Sequence, residues 1–142
     1  MILLDTNVVS EAFRVQPSTH VQEWYNRQRL DDLFLCTPVL AELRYGFERL
    51  SAGVQRDRLE QLIGHIETAI FPDRILNVDR DAAHQYGRIL AHRNRIGRPM
   101  MTMDALIAAV AVSHGAVLAT RDIADFGEID LDLIDPFAPG SS

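Results

Sequence analysis

The sequence predicts an α/β fold, a central parallel sheet of about five strands flanked by helices on both faces. Three observations carry this expectation. Short apolar runs, among them Ile2–Leu4, Leu33–Cys36 and 116–119, alternate with longer segments of helical periodicity. The runs show no polar alternation, as befits strands covered on both faces. Turn residues punctuate the segments, and there is no internal repeat and no linker. By length the 142 residues make one domain, enough to bury roughly 68–70% of the surface the unfolded chain exposes. That domain is expected over residues 1–138, with 139–142 as a disordered tail.

The elements follow in order. Ile2–Leu4 is the first strand and ends at Asp5. A helix over 6–14 comes next, capped by Asp5 or Thr6. Pro17 and Ser18 start a second helix that runs to about Arg29, and Leu33–Cys36 is the second strand. Thr37 followed by Pro38 is a capping hydroxyl before a proline at the first helical position, opening a third helix to about Leu50. Residues 54–71 are amphipathic, with Leu59, Leu62, Ile63, Ile66 and Ile70 on one stripe. A third strand over 74–78 precedes a helix capped by Asp79 and ending near Gly97. Thr102 caps an Ala-rich helix that stops at Gly115. Strands four and five, 116–119 and 131–134, are closed by Pro136.

Composition narrows the function classes. Hydrophobic residues at 47% and charged ones at 24% are ordinary for a soluble globular protein. The opening residues lack the basic region of a signal peptide, and the longest apolar stretch, 105–112, is too short to span a bilayer, so no membrane role is indicated. The one cysteine, Cys36, reads as a small buried hydrophobe, and a reducing, cytoplasmic compartment fits it. A net charge of −6 argues at first sight against a nucleic-acid partner. But six acids and no base lie between Asp122 and Asp135, whereas 80–99 carries five arginines against one aspartate. All fourteen basic residues are arginine, which grips phosphate well, but this bias carries no functional weight because a GC-rich genome also produces it.

The acids carry the chemistry. In a parallel sheet the functional crevice lies outside the carboxyl ends of the strands. Asp5 ends strand one, and Asp122 follows strand four after Thr120 and Arg121, so these two acids should meet at one edge. Each acid alone has a plainer account. Asp5 can cap a helix, Asp122 can make a turn, and Asp104 sits in a first helical turn where any carboxylate is favoured. Glu42 is harder to dismiss. It lies too deep in its helix for a capping box with Thr37, and beside Val39, Leu43 and Gly46 at the margin of the apolar stripe. A carboxylate there needs a cation or donors.

Converging carboxylates repel. Two like charges about 4 Å apart cost roughly 4 kcal/mol at an effective dielectric of 20, a cost that a divalent cation removes. An all-oxygen site selects magnesium or manganese over zinc, and His20, His65, His84, His92 and His114 show no zinc-binding spacing. Such a centre suits phosphodiester hydrolysis.

Four segments bring a family into view. They are Ile2-Leu3-Leu4-Asp5-Thr6-Asn7-Val8, Thr37-Pro38-Val39-Leu40-Ala41-Glu42-Leu43, Thr102-Met103-Asp104-Ala105-Leu106-Ile107-Ala108-Ala109 and Ala119-Thr120-Arg121-Asp122. In that order and spacing they resemble PIN-domain proteins, specifically VapC-type toxins of prokaryotic toxin–antitoxin pairs and their FitB-like branch. The resemblance runs from Met1 to about Pro136. It implies a PIN fold, a Mg2+- or Mn2+-dependent endoribonuclease acting on RNA, and a homodimer neutralised by an antitoxin with a DNA-binding part. The family's acidic quartet carries onto Asp5, Glu42, Asp104 and Asp122, as catalytic residues and metal ligands, and its supporting polar positions onto Asn7 and Thr120. In many members the last motif has Asn where this chain has Asp122, followed by an acid matching Asp125; both are acidic here, and Asp122 ranks first.

Other features have rival readings. His84, Arg88, His92 and Arg95 share a helix face opposite Ala83, Tyr86, Ile89 and Leu90, either a solvated face or a guide for an RNA backbone or an acidic antitoxin segment. Met100, Met101 and Met103 read as packing ahead of the Ala-rich helix. Two other functions compete. An Asp-nucleophile phosphatase would use Asp5, but such enzymes want an acid where this chain has Asn7. A catalytically weak PIN module would act only through antitoxin binding and operon regulation.

Overall fold

Leu3 and Leu4 are neighbours on a strand, point to opposite faces, and are both fully buried. Layers therefore cover the sheet on both sides at its centre. The computed structural model describes residues 1–141. Its strands are β1 (Ile2–Leu4), β2 (Leu33–Cys36), β3 (Ile75–Leu76), β4 (Val117–Ala119) and β5 (Leu133–Ile134). Its α-helices are α1 (Thr6–Ala12), α2 (Thr19–Arg27), α3 (Thr37–Glu48), α4 (Val54–His65), α5 (Arg80–Arg95) and α6 (Thr102–Ser113). The strands form one parallel sheet in the order β3-β2-β1-β4-β5, which is the architecture expected.

That order positions the site. The chain winds outward from β1 to β3, returns, and continues from β4 on the other side, so the direction of winding reverses between β1 and β4. Loops leaving the carboxyl ends of those two strands part there and leave a crevice. The register pairs Leu4 with Ala119, which places Asp5 and Thr120 side by side at the end of the ladder.

Burial explains the packing. In α6, Ala105, Ile107, Ala108, Ala109, Val110 and Ala111 are all buried, and the small side chains let α5 pack closely on this helix. The predicted stripe of α4 is real, with Ile63 and Ile66 buried and Leu59, Leu62 and Ile70 packed against the core. Each large apolar side chain so buried contributes roughly 1.5–3 kcal/mol. Gly97 and Gly115 follow α5 and α6 with φ of 72° and 62°, the left-handed conformation that ends a helix most cheaply in glycine.

Several boundaries differ from expectation. The amphipathic run 54–71 is not one helix, because α4 passes into a π turn at Ile66–Ile70. Thr37 is the first helical residue of α3 and Cys36 its cap; likewise Thr102 begins α6 after Met101, and neither cap makes a side-chain hydrogen bond. The helix N-termini at Asp5 and Asp79 are capped as expected, through Thr6 N–H and Ala82 N–H. Met101 is 75% exposed rather than packed, and of the aromatic residues Trp24 and Phe47 are core while Tyr45 faces solvent. Among the described residues no helix is long and apolar enough to cross a membrane.

Candidate active site

Asp5 closes β1 and opens α1, and its two oxygens serve the two elements separately. Oδ1 accepts the Thr6 N–H at 2.8 Å, and Oδ2 accepts the Thr120 hydroxyl at 2.7 Å. The strand ladder brings Thr120 there, since the Asp5 N–H donates to the Ala119 carbonyl at 2.9 Å. The Thr120 oxygen in turn accepts the Asp122 N–H at 2.9 Å, which folds the chain after β4 back over the end of β1.

Asn7 completes the link. Its Nδ2 donates to Asp122 Oδ2 at 2.9 Å and reaches Asp5 Oδ2 at 3.4 Å, while its Oδ1 accepts the Arg121 N–H at 3.3 Å. Asp5, Asn7, Thr120 and Asp122 thus form one connected network.

Glu42 has the non-local donor its helix position called for. The Thr6 hydroxyl donates to its Oε1 at 2.6 Å, across from α1 to α3. Arg44 is occupied elsewhere, 3.8 Å from Glu48. Asp104, in the first turn of α6, is coupled to the others through charge. Burial first, then the charges of Asp5, Asp125, Glu42 and Asp122, push its carboxyl up to about 6. Burial also holds Asp5 above the usual carboxylate range, with Glu42 and Asp122 adding to the rise while the Thr120 hydroxyl and Thr6 N–H act against it. Asp125 lies one 3₁₀ turn beyond Asp122, with its N–H on the Asp122 carbonyl at 3.0 Å, and its side chain is exposed. Cys36, fully buried, has its thiol pushed up to about 12, chiefly by burial, so it is no nucleophile.

These donors fit a hard cation. Among the described residues no three His, Cys, Asp or Glu side chains already close around a point. Magnesium does not require that, for it keeps much of its water and is held by one or two carboxylates. The acids here are all-oxygen donors whose mutual repulsion adds to burial in shifting Asp5 and Asp104 upward. Asp5, Glu42, Asp104 and Asp122 would hold such an ion, and Asp125 acts on Asp104 through its charge more strongly than Asp122 does.

One residue beside this site escaped the sequence reading. Arg93 is 4% exposed, on the inner face of α5. Its Nε donates to the Arg98 carbonyl at 2.6 Å, and its Nη1 to the carbonyls of Asp125 and Gly127, each at 2.9 Å. The signal was present in the periodicity. Ala82, Tyr86, Ile89 and Arg93 share one stripe, whereas Ala83, expected inside, is exposed. His84, Arg88 and Arg95 are exposed as a solvated face would be, and His92 Nε2 lies 2.8 Å from the Glu128 carbonyl.

Known proteins share this arrangement of elements. The chain is 38% identical to the plasmid stability protein StbB of Pseudomonas syringae pv. tomato, over 96% of this chain and 99% of that one. It is 37% identical to the VapC ribonuclease Y4jK of Sinorhizobium fredii, over 98% and 99%. Among solved structures it is similar to that of FitAB bound to an IR36 DNA fragment, with a TM-score of 0.90 at 34% identity, covering 97% of this chain and 96% of the other. The family model described as PIN domain matches residues 2–131. With that match over most of its length, and with the strand order and acid-bearing crevice already described, the chain belongs to the PIN-domain family.

Proposed function

We propose that this chain is a metal-dependent endoribonuclease, the toxin of a toxin–antitoxin pair, that hydrolyses RNA phosphodiester bonds at Asp5, Glu42, Asp104 and Asp122. One observation carries the reading. Acids from four segments are brought to the sheet's reversal point, where burial first and their mutual charge second raise Asp104 to about 6. The likeness to a VapC ribonuclease over nearly the whole chain supports the choice of RNA. A bound Mg2+ or Mn2+ supplies Lewis acidity, which activates water near neutral pH and neutralises charge gathering on the phosphate. The chain's own residues do the rest. Thr120 and Asn7 orient Asp5 and Asp122, and Thr6 orients Glu42. The half-exposed Arg121 guanidinium lies over the Phe137 ring and 3.8 Å from Glu11, and its approach to a phosphate would have to compete with that ion pair.

The FitAB structure on DNA supports the accompanying partners. They are a small antitoxin with a DNA-binding part, and a second copy of this chain. A cytoplasmic location goes with that reading. The decisive experiment is cleavage of RNA by wild type and Asp5→Asn with Mg2+ or Mn2+, alongside growth arrest on expression. Cleavage should vanish with chelator and fall at least a hundredfold in the variant. Cleavage indifferent to both would sink the metal mechanism.

A further inference from the structure

A guanidinium that is almost wholly buried needs acceptors, and Arg93 finds only backbone. Among the described residues no carboxylate lies within ion-pair distance of it. Its three carbonyl partners belong to two different segments. Arg98 lies in the connection that leads into α6, three residues before Met101 caps the helix carrying Asp104. Asp125 and Gly127 flank Phe126, fully buried, in the 3₁₀ turn that carries Asp125 and follows Asp122. One planar fork therefore bridges two acid-bearing segments, beside the longer contacts of the exposed Arg98 to the Ala124 carbonyl at 3.4 Å and to Glu128 at 3.5 Å.

We propose that Arg93 is a positioning residue for the acidic centre, holding the Asp122–Asp125 turn at a fixed spacing from the Asp104 turn so that both can serve one divalent cation. The proposal rests on the metal-dependent reading of the site. The geometry of the fork is essential to it. Nε and Nη1 diverge from a rigid plane and satisfy carbonyls on opposite sides, which a lysine ammonium, a single point at the end of a flexible stem, does not reproduce. Slack in the turn passes directly to Asp122, because the Asp125 N–H is bonded to the Asp122 carbonyl. Residues behind metal ligands typically govern affinity by 10–100-fold without touching the ion.

The test uses the full chain and Mn2+ as probe, with free Mn2+ followed by electron paramagnetic resonance. Arg93→Lys should weaken Mn2+ binding about tenfold and raise by a similar factor the Mn2+ needed for half-maximal RNA cleavage. At saturating Mn2+ the cleavage rate should return to within a few-fold of wild type. Phe126→Leu, which loosens the same turn without altering Arg93, should act in the same direction and serves if Arg93→Lys does not fold. Ile63→Ala, a buried change in α4, lowers stability but should leave Mn2+ binding unchanged. Unaltered Mn2+ binding in the Arg93 and Phe126 variants, or equal weakening in Ile63→Ala, overturns the proposal. Should wild type itself bind no Mn2+, the reading of the site fails rather than that of the clamp. Amide exchange at Asp125 and Gly127 then decides the clamp, with acceleration in Arg93→Lys supporting it and no change overturning it.

Discussion

Asn7 and Asp122 lie 115 positions apart in the chain and meet at 2.9 Å, carboxamide to carboxylate. The same nitrogen faces Asp5 at 3.4 Å, so a neutral donor sits between two acids. Asn7→Ala removes it and should lower the RNA cleavage rate by about tenfold, the scale of one charge-assisted hydrogen bond. Asn7→Asp places a third negative charge there and should do more harm at pH 8, where that carboxyl is fully ionised, than at pH 6, where a retained proton can still donate. Initial rates on one RNA at both pH values read this directly. An Asn7→Asp variant as active as wild type at pH 8 would show that the carboxamide is not needed.

The raised carboxyl of Asp104 makes a pH prediction with a definite sign. Its folded value, about 6, lies above the ordinary 3.8, so between those values the folded state holds more protons than the unfolded one. The metal-free protein therefore loses stability as pH rises through this window, and Asp5 acts in the same direction. Asp104→Asn should melt roughly 2–5 °C above wild type at pH 7 without metal, and the gap should close towards pH 4. Millimolar Mg2+ should recover much of the difference for wild type. A gap independent of pH would contradict the cause given for the shift.

Thr120 is fully buried and works in both directions, donating to Asp5 and accepting from the Asp122 N–H. Thr120→Val keeps the shape and removes both bonds. It leaves a backbone donor and a buried carboxylate oxygen short of partners, at a cost of about 1–3 kcal/mol. Thermal unfolding should show that loss, and cleavage should fall with it. Unchanged stability would mean that water replaces the hydroxyl.

Asp122 and Asp125 divide differently. Asp122 is tied through Asn7 and Thr120 to Asp5, whereas Asp125 acts on Asp104 through its charge. Asp122→Asn should therefore reduce cleavage about tenfold more than Asp125→Asn does, and Mn2+ affinity should follow the same order. The reverse order would move the fourth ligand to Asp125.

Much of this arrangement was legible in advance for a simple reason. Parallel strands read as short apolar runs, and the rule about their carboxyl ends needs no side-chain detail, so the meeting of Asp5 with the chain after β4 followed directly. Glu42 could be singled out because a carboxylate at the margin of an apolar stripe demands a donor, although only the fold could name Thr6. Boundaries were less legible. The π turn at Ile66–Ile70 keeps the same apolar stripe as α4, so periodicity cannot separate them. Arg93 was passed over because arginine is read as a surface residue even when its position is interior. The absence of lysine acquires meaning here too. Arg56 donates to the Phe47 carbonyl in the last turn of α3 and to the Leu50 carbonyl just beyond it, and Arg74 and Arg93 similarly hold backbone carbonyls.

The strand order has a consequence for when the acidic centre can exist. β1 is made first, yet its neighbour β4 is made after β2, β3 and all six α-helices. No partial product that lacks the segment after β4 can assemble Asp5 with Asp122, and closing so long a loop is a late event in folding. The acidic centre is thus withheld from nascent and half-folded chains by topology alone, and comes into being only when the last strands dock.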